Sequence, residues 1–202
     1  MELLQTRVNR SNPGGFTLPE TQVTLALFVL VVGGMMVTYL FGYRLFQFIQ
    51  PKLNASDQAR VLLGKMSQEI KTAAVIKVGT GDKNGFTEVA VNSPQKGTSL
   101  QIYPTSDTNY FVRYFWNATD LTVKRLVSSN SVPTTMATSV TNQAIFSAQD
   151  FAGNVLTNNQ NNRVISMTLQ FFQADNLLGA SGTKSSSDFF QLQTRVTRRS
   201  LL

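Results

Sequence analysis

Cysteine and histidine are both missing from this chain. Their absence excludes disulfide frameworks, thiolate zinc sites, cysteine nucleophiles and every histidine-based triad or metal cluster. The fold must therefore hold by packing alone. Charge is also scarce, at 14% of residues against 42% apolar, where about 25% charged is usual for a soluble domain. That scarcity points to a segment in lipid. No two of the 11 acidic residues form an acid/base couple. Asp175 and Asp188 bracket a Ser/Gly loop, but two acids without an EF-hand-like run do not make a calcium site. No enzyme, no cofactor and no metal are expected.

The basic excess is real but thin. There are 18 basic residues and a net charge of +7, and the only tight cluster is Arg195, Arg198 and Arg199. A diffuse excess of this kind bears on membrane topology more than on a ligand, and DNA is not an expected partner. At 202 residues the chain has room for one domain with an appendage.

What the chain does have is one long apolar run. From Thr21 to Tyr43 there are 23 residues without a charge. As a helix they would span roughly 35 Å at about 1.5 Å per residue, enough for a hydrocarbon core of about 30 Å. Arg7 and Arg10 precede the run, and Arg44 and Lys52 follow it. A short basic leader stays in the cytoplasm, which puts the C-terminal region outside. The run exceeds the roughly 7–15 apolar residues of a cleaved secretory signal. A spanning helix in a bitopic membrane protein is the expectation.

Just before the run stands GGFTLPE, residues 14–20. Thr17-x-x-Glu20 has capping-box spacing, with Thr17 as N-cap and Glu20 at the third helical position. Pro19 falls in the first turn, where backbone N–H groups are unpaired anyway. Gly14 and Gly15 form a flexible, accessible joint ahead of it.

A short basic leader, a terminal glycine, Phe16, a glutamate four residues on and some twenty apolar residues together resemble the class III signal of type IV pilin-like proteins. The signal context is Gly14, Thr17, Leu18 and Pro19. The resemblance implies that prepilin peptidase cuts between Gly15 and Phe16 on the cytoplasmic side and N-methylates Phe16. Glu20 then becomes the fifth residue of the processed chain. A new α-amine is largely cationic near neutral pH, with a reference pKa of about 8. It can neutralise the Glu20 of a neighbouring subunit as helices stagger into a filament. An unpaired carboxylate in the bilayer costs about 2.5–3.5 kcal/mol on insertion scales, so pairing favours assembly. Capping and assembly are compatible roles for one residue.

Beyond the run, Pro51 should kink or briefly break the helix. Ala59, Leu62, Leu63, Met66, Ile70 and Ala73 then recur at spacings of three and four, with Arg60, Lys65, Gln68, Glu69 and Lys71 between them. One helix from Leu18 to about residue 74 is predicted. GTGDKNG (79–85) punctuates the change to β structure and does not have phosphate-loop spacing. Ile165, Met167, Leu169 and Phe171 alternate with polar residues, and Phe190, Leu192 and Val196 repeat the pattern. Weaker strand candidates are 86–91, 99–104, 110–116, 121–127 and 144–149, and two glycosylation-type triplets begin at Asn54 and Asn117.

The predicted class is α+β. A long N-terminal α-helix, membrane-spanning in its first half and amphipathic in its second, packs on an antiparallel β-sheet domain. The division is 1–15 leader, 16–50 transmembrane and assembly helix, 51–76 amphipathic continuation and 77–202 exported β-rich domain. This order is similar to the pilin fold, and in LTVKRLV, AIFSAQDFAGN, VISMTLQFF and the closing TRVTRR it looks most like the minor pseudopilins of type II secretion. The partners so implied are prepilin peptidase, other pilin or pseudopilin subunits, an inner-membrane assembly platform and membrane lipid. The alternatives are a minor type IV pilin in adhesion, motility or DNA uptake, and a membrane-anchored exported binding protein or enzyme.

Overall fold

The computed structural model describes residues 14–159, 164–174 and 187–199. A single helix, α1 (Leu18–Thr72), is followed by ten strands. These are β1 (Val75–Gly81), β2 (Phe86–Glu88), β3 (Lys96–Gly97), β4 (Ser99–Tyr103), β5 (Val112–Asn117), β6 (Thr122–Val127), β7 (Asn130–Ala137), β8 (Phe146–Gln149), β9 (Val164–Ala174) and β10 (Ser187–Thr197). The architecture is α+β. The chain divides into two compact units, one ending at Gln47 and the other beginning at Phe48.

In the first unit every residue from 14 to 47 is exposed. Among the described residues α1 is the one helix long and apolar enough to cross a membrane. Its apolar side chains face outward all round, which in water would be untenable and in lipid is what the solvent requires. The expected break at Pro51 is not there, for residue 51 lies within continuous helix. A proline forfeits one N–H donor, and the bonds of adjacent turns can carry the helix past it.

In the second unit the amphipathic pattern does what its period dictates. Ala59, Leu62, Met66, Ile70 and Ala73 are buried and Leu63 is partly so. They share one core with Val78, Leu100, Ile102 and Tyr114 of a six-stranded sheet and with Phe146, Ile165, Met167 and Leu169 of a four-stranded one. Burying each such large side chain contributes about 1.5–3 kcal/mol before the cost of ordering it. The strand orders are β2-β1-β4-β5-β6-β7 and β10-β9-β8-β3, and every pairing is antiparallel. In the longest pair Ile165 lies opposite Val196, Leu169 opposite Leu192 and Phe171 opposite Phe190, whose ring centroids are 6.1 Å apart. The period-two pattern read in these two segments is thus one face, buried along β9 and partly buried along β10. Strand structure starts at Val75, ahead of residue 77, and GTGDKNG is the end of β1 plus a hairpin turn. There Asp82 Oδ1 accepts the N–H groups of Asn84 (2.7 Å) and Gly85 (2.9 Å), which hold its carboxyl below the usual carboxylate range.

Glu69, expected among the solvent-facing polar residues, is instead the electrostatic tie between helix and sheet. Its Oε1 accepts from Arg125 Nη2 (2.6 Å) and Nε (3.1 Å), and its Oε2 accepts from the Tyr114 hydroxyl at 2.6 Å. Burial first, and then the hydrogen bond to Glu69, pushes the Tyr114 phenol far up, so it stays a donor at neutral pH. The side chains of Arg125 and Glu69 are only 17% and 21% exposed, so the pair is worth more than a surface bridge. Glu69→Gln is expected to cost about 2 kcal/mol, because a neutral amide cannot answer both donors of the guanidinium and the phenol together. Thermal unfolding followed by Trp116 fluorescence should show a Tm lower by about 4–8 °C. Trp116 is the only tryptophan, and its indole N–H donates to the Val140 carbonyl at 2.8 Å.

Candidate functional site

The seven residues from Gly14 to Glu20 form one continuous exposed segment at the start of α1. Gly14 and Gly15 precede the helix, and a Cβ added at either would meet no atom within 4 Å. Nothing in this segment shields the Gly15–Phe16 peptide bond. Phe16 is 81% exposed and with Thr21, Thr24, Leu25 and Phe28 lines a shallow apolar groove. Leu18 and Pro19 are the first two helical residues. The leader residues Arg7 and Arg10 lie outside the described residues.

Thr17 and Glu20 interact as their spacing predicts. Glu20 Oε2 accepts from the Thr17 backbone N–H at 3.3 Å and from the Thr17 hydroxyl at 3.2 Å. This is the reaching-back half of a capping box, and it also sets a negative charge at the positive end of the helix dipole. The next turn is closed by Thr21 N–H to Thr17 O (3.1 Å), Thr21 Oγ1 to Leu18 O (2.8 Å) and Thr24 Oγ1 to Glu20 O (2.5 Å). The second carboxylate oxygen, Oε1, has no hydrogen-bond partner among the described residues. Glu20 can therefore cap its own helix with one oxygen and accept from an external cation with the other.

The remaining sequence candidates resolve differently. Asn117 is engaged locally, its Oδ1 accepting from the Thr119 N–H at 3.0 Å and its Nδ2 donating to Asp120 at 3.1 Å. Asn54 lies within α1. Asp175 and the side chain of Asp188 lie outside the described residues. Among the described residues no group of three or more metal-ligating side chains exists. The C-terminal arginines are not a free patch. Arg198 Nη1 donates to the Ala74 carbonyl (2.5 Å) and the Arg199 N–H to the Lys71 carbonyl (3.1 Å), where α1 ends. Arg195 lies against Gly153, whose φ of +95° belongs to a tight turn after β8.

Two features were not visible in the pattern of residue types. One is the Glu69 cluster. The other is Arg113, a buried guanidinium bonded to Gln101 Oε1 and the Asp82 carbonyl, both at 2.8 Å. It lies 5.7 Å from the Phe86 ring centroid and 4.9 Å from that of Phe111, and burial pushes its pKa down. The sequence signal for it was slight, an arginine amid the apolar run YFVRYFW. No protein-family model, curated protein or solved structure compared with this chain matches it.

Proposed function

We propose that this chain is a structural subunit of a pilin-like filament, most like a minor pseudopilin of a type II secretion system. It is inserted as a bitopic inner-membrane precursor with its N-terminus in the cytoplasm. Prepilin peptidase hydrolyses the Gly15–Phe16 bond and methylates the amine of Phe16. The processed subunit is then drawn into a filament through its N-terminal helix. In this reading the assembly platform and the other subunits take over the apolar surface that lipid covered before.

The observation that carries the reading is the pairing of an accessible Gly15–Phe16 bond with a half-satisfied Glu20 carboxylate, directly ahead of a helix apolar on every side. An ordinary membrane anchor needs neither the exposed glycine joint nor an acid at the mouth of the span, where it is costly. Exposed apolar surface on this scale must be covered by lipid or by like helices. The absence of histidine, cysteine and any acid couple in the sequence supports a structural role over a catalytic one.

The test is the N-terminal peptide of the protein taken from its native envelope, read by mass spectrometry. A peptide beginning at Phe16 and carrying one added methyl group is expected, and Gly15→Leu should leave the precursor uncut. An intact leader, or an end elsewhere, would reduce Glu20 to a helix cap and the chain to an ordinary anchored protein.

A further inference from the structure

One face of the four-stranded sheet carries polar side chains in register. Antiparallel register sets Lys96 beside Ser147, Ser147 beside Ser166 and Ser166 beside Arg195, so one row of polar side chains crosses all four strands. The next row pairs Thr168 with Gln193, and the one beyond pairs Gln170 with Gln191. Among the described residues no acidic side chain lines the groove of about 290 Å³ that lies over this face. That volume is at the lower end for ligand pockets and suits a short stretch of an open chain.

The hydrogen-bonding capacity left over in the groove is mixed. Gln149 Nε2 donates to Ser147 Oγ (3.3 Å) and Gln193 Nε2 donates to Ser166 Oγ (3.2 Å). Each serine is thus an acceptor within the protein, and its own proton is directed elsewhere. Gln149 is only 8% exposed, yet its Oε1 has no hydrogen-bond partner among the described residues. A buried acceptor without a partner is costly and rare in a settled fold, and it asks for a donor that comes from outside. The Lys96 ammonium at the groove's rim also has no hydrogen-bond or ion-pair partner among the described residues. Acceptors (Gln149, Gln193) therefore alternate with donors (Ser147, Lys96), above a Ser166 that is itself buried beneath Gln193.

A metal ion would need acceptors only, and an anion would need donors only. An extended peptide gains its main-chain bonds at a sheet edge, whereas these side chains stand on a sheet face. A polyhydroxylated ligand is different, since every hydroxyl both donates and accepts. Ala144, Ile145 and Val155 add a small apolar margin suited to the C–H faces of such a molecule. We propose that this face is a binding groove for an uncharged saccharide chain.

The test uses the full chain in detergent micelles and follows chemical-shift perturbation of side-chain amides on titration with an N-acetylglucosamine tetramer and with maltotetraose. Saturable binding of at least one, weakened tenfold or more by Gln149→Met and by Gln193→Ala, is expected. Gln193 is exposed, so its truncation does not threaten the fold even if Gln149→Met does. Inorganic phosphate and a neutral tetrapeptide are titrated alongside. Binding of phosphate alone, of the peptide alone, of neither sugar, or of a sugar with both variants unaffected would overturn the proposal.

Discussion

Glu20→Ala is expected to leave the chain inserted and cut after Gly15 but absent from filaments. On the proposed reading the peptidase would act on the Gly15–Phe16 bond, which lies outside the helix that Glu20 caps. Losing the carboxylate removes two hydrogen bonds to Thr17 and costs the helix start about 1 kcal/mol. Insertion would become easier, since a carboxyl group is removed from the mouth of the span. What would disappear, on the proposed reading, is the partner for an incoming subunit's amine. If that pairing recovers about 2.5–3.5 kcal/mol of otherwise unpaired charge, each addition weakens on the order of a hundredfold. Glu20→Gln separates the two roles of this residue. Its amide oxygen can still accept from Thr17, so a capping role predicts normal assembly, whereas charge pairing predicts failure equal to alanine. Filament fractions sheared from cells and probed for each variant give the answer. Normal incorporation of Glu20→Ala would sink the pairing argument.

Gly97→Ala should unfold or nearly unfold the sheet domain. β3 of the four-stranded sheet here passes β1 of the six-stranded sheet with no side chain between them. A Cβ on Gly97 would lie 2.0 Å from the Gly79 carbonyl oxygen and 2.7 Å from its carbon. Those are backbone atoms, so no rotamer change relieves the overlap. Moving β3 away would disturb the pairs Lys96–Ser147 and Gly97–Phe146. A loss of about 3 kcal/mol or more is expected, at the upper end for overpacking. Gly64→Ala is the matched control with the opposite sign. Its added Cβ meets nothing within 4 Å, and it sits on an exposed position of α1. Alanine there should stabilise by about 0.5–1 kcal/mol through helix propensity. Trp116 fluorescence in urea resolves both, and a Gly97→Ala midpoint equal to wild type would mean the two sheets are not held at this contact.

The helix and its buried stripe were legible because a 3.6-residue period repeats over several turns between Ala59 and Ala73. β9 and β10 were legible because one face of each is buried, so apolar residues alternate. β7 was not. Its sequence NSVPTTMA is polar, contains Pro133 and forms the edge of the six-stranded sheet with irregular register. An edge strand has only one paired side and little core to mark it, and it tolerates a proline that a central strand would reject. β3 is two residues long and invisible to any periodicity. Glu69 sits between Met66 and Ile70 at the margin of the apolar stripe, where residue type alone does not separate solvent from a buried guanidinium. The Thr17–Glu20 cap was legible for another reason. Its chemistry is local, and the bonds between Thr17 and Glu20 span only one helical turn. The saccharide groove had no local signature, because its residues come from β3, β8, β9, β10 and the segments beside β8, and meet only in the folded sheet.

The bonds from Arg198 and Arg199 to the end of α1 also set an order in time. They join residues more than a hundred positions apart in the chain; the Arg198 side-chain bond alone spans 124. A ribosome delivers the helix early and β10 late, at about 5–20 residues per second. Until β10 arrives, β9 has an open edge and the carbonyls of Lys71 and Ala74 lack these donors. Contacts of such long range close late and slowly. The domain therefore spends its first seconds as an incomplete sheet with apolar Leu169 and Phe171 poorly covered, and it is in that interval that a chaperone or a protease would find it.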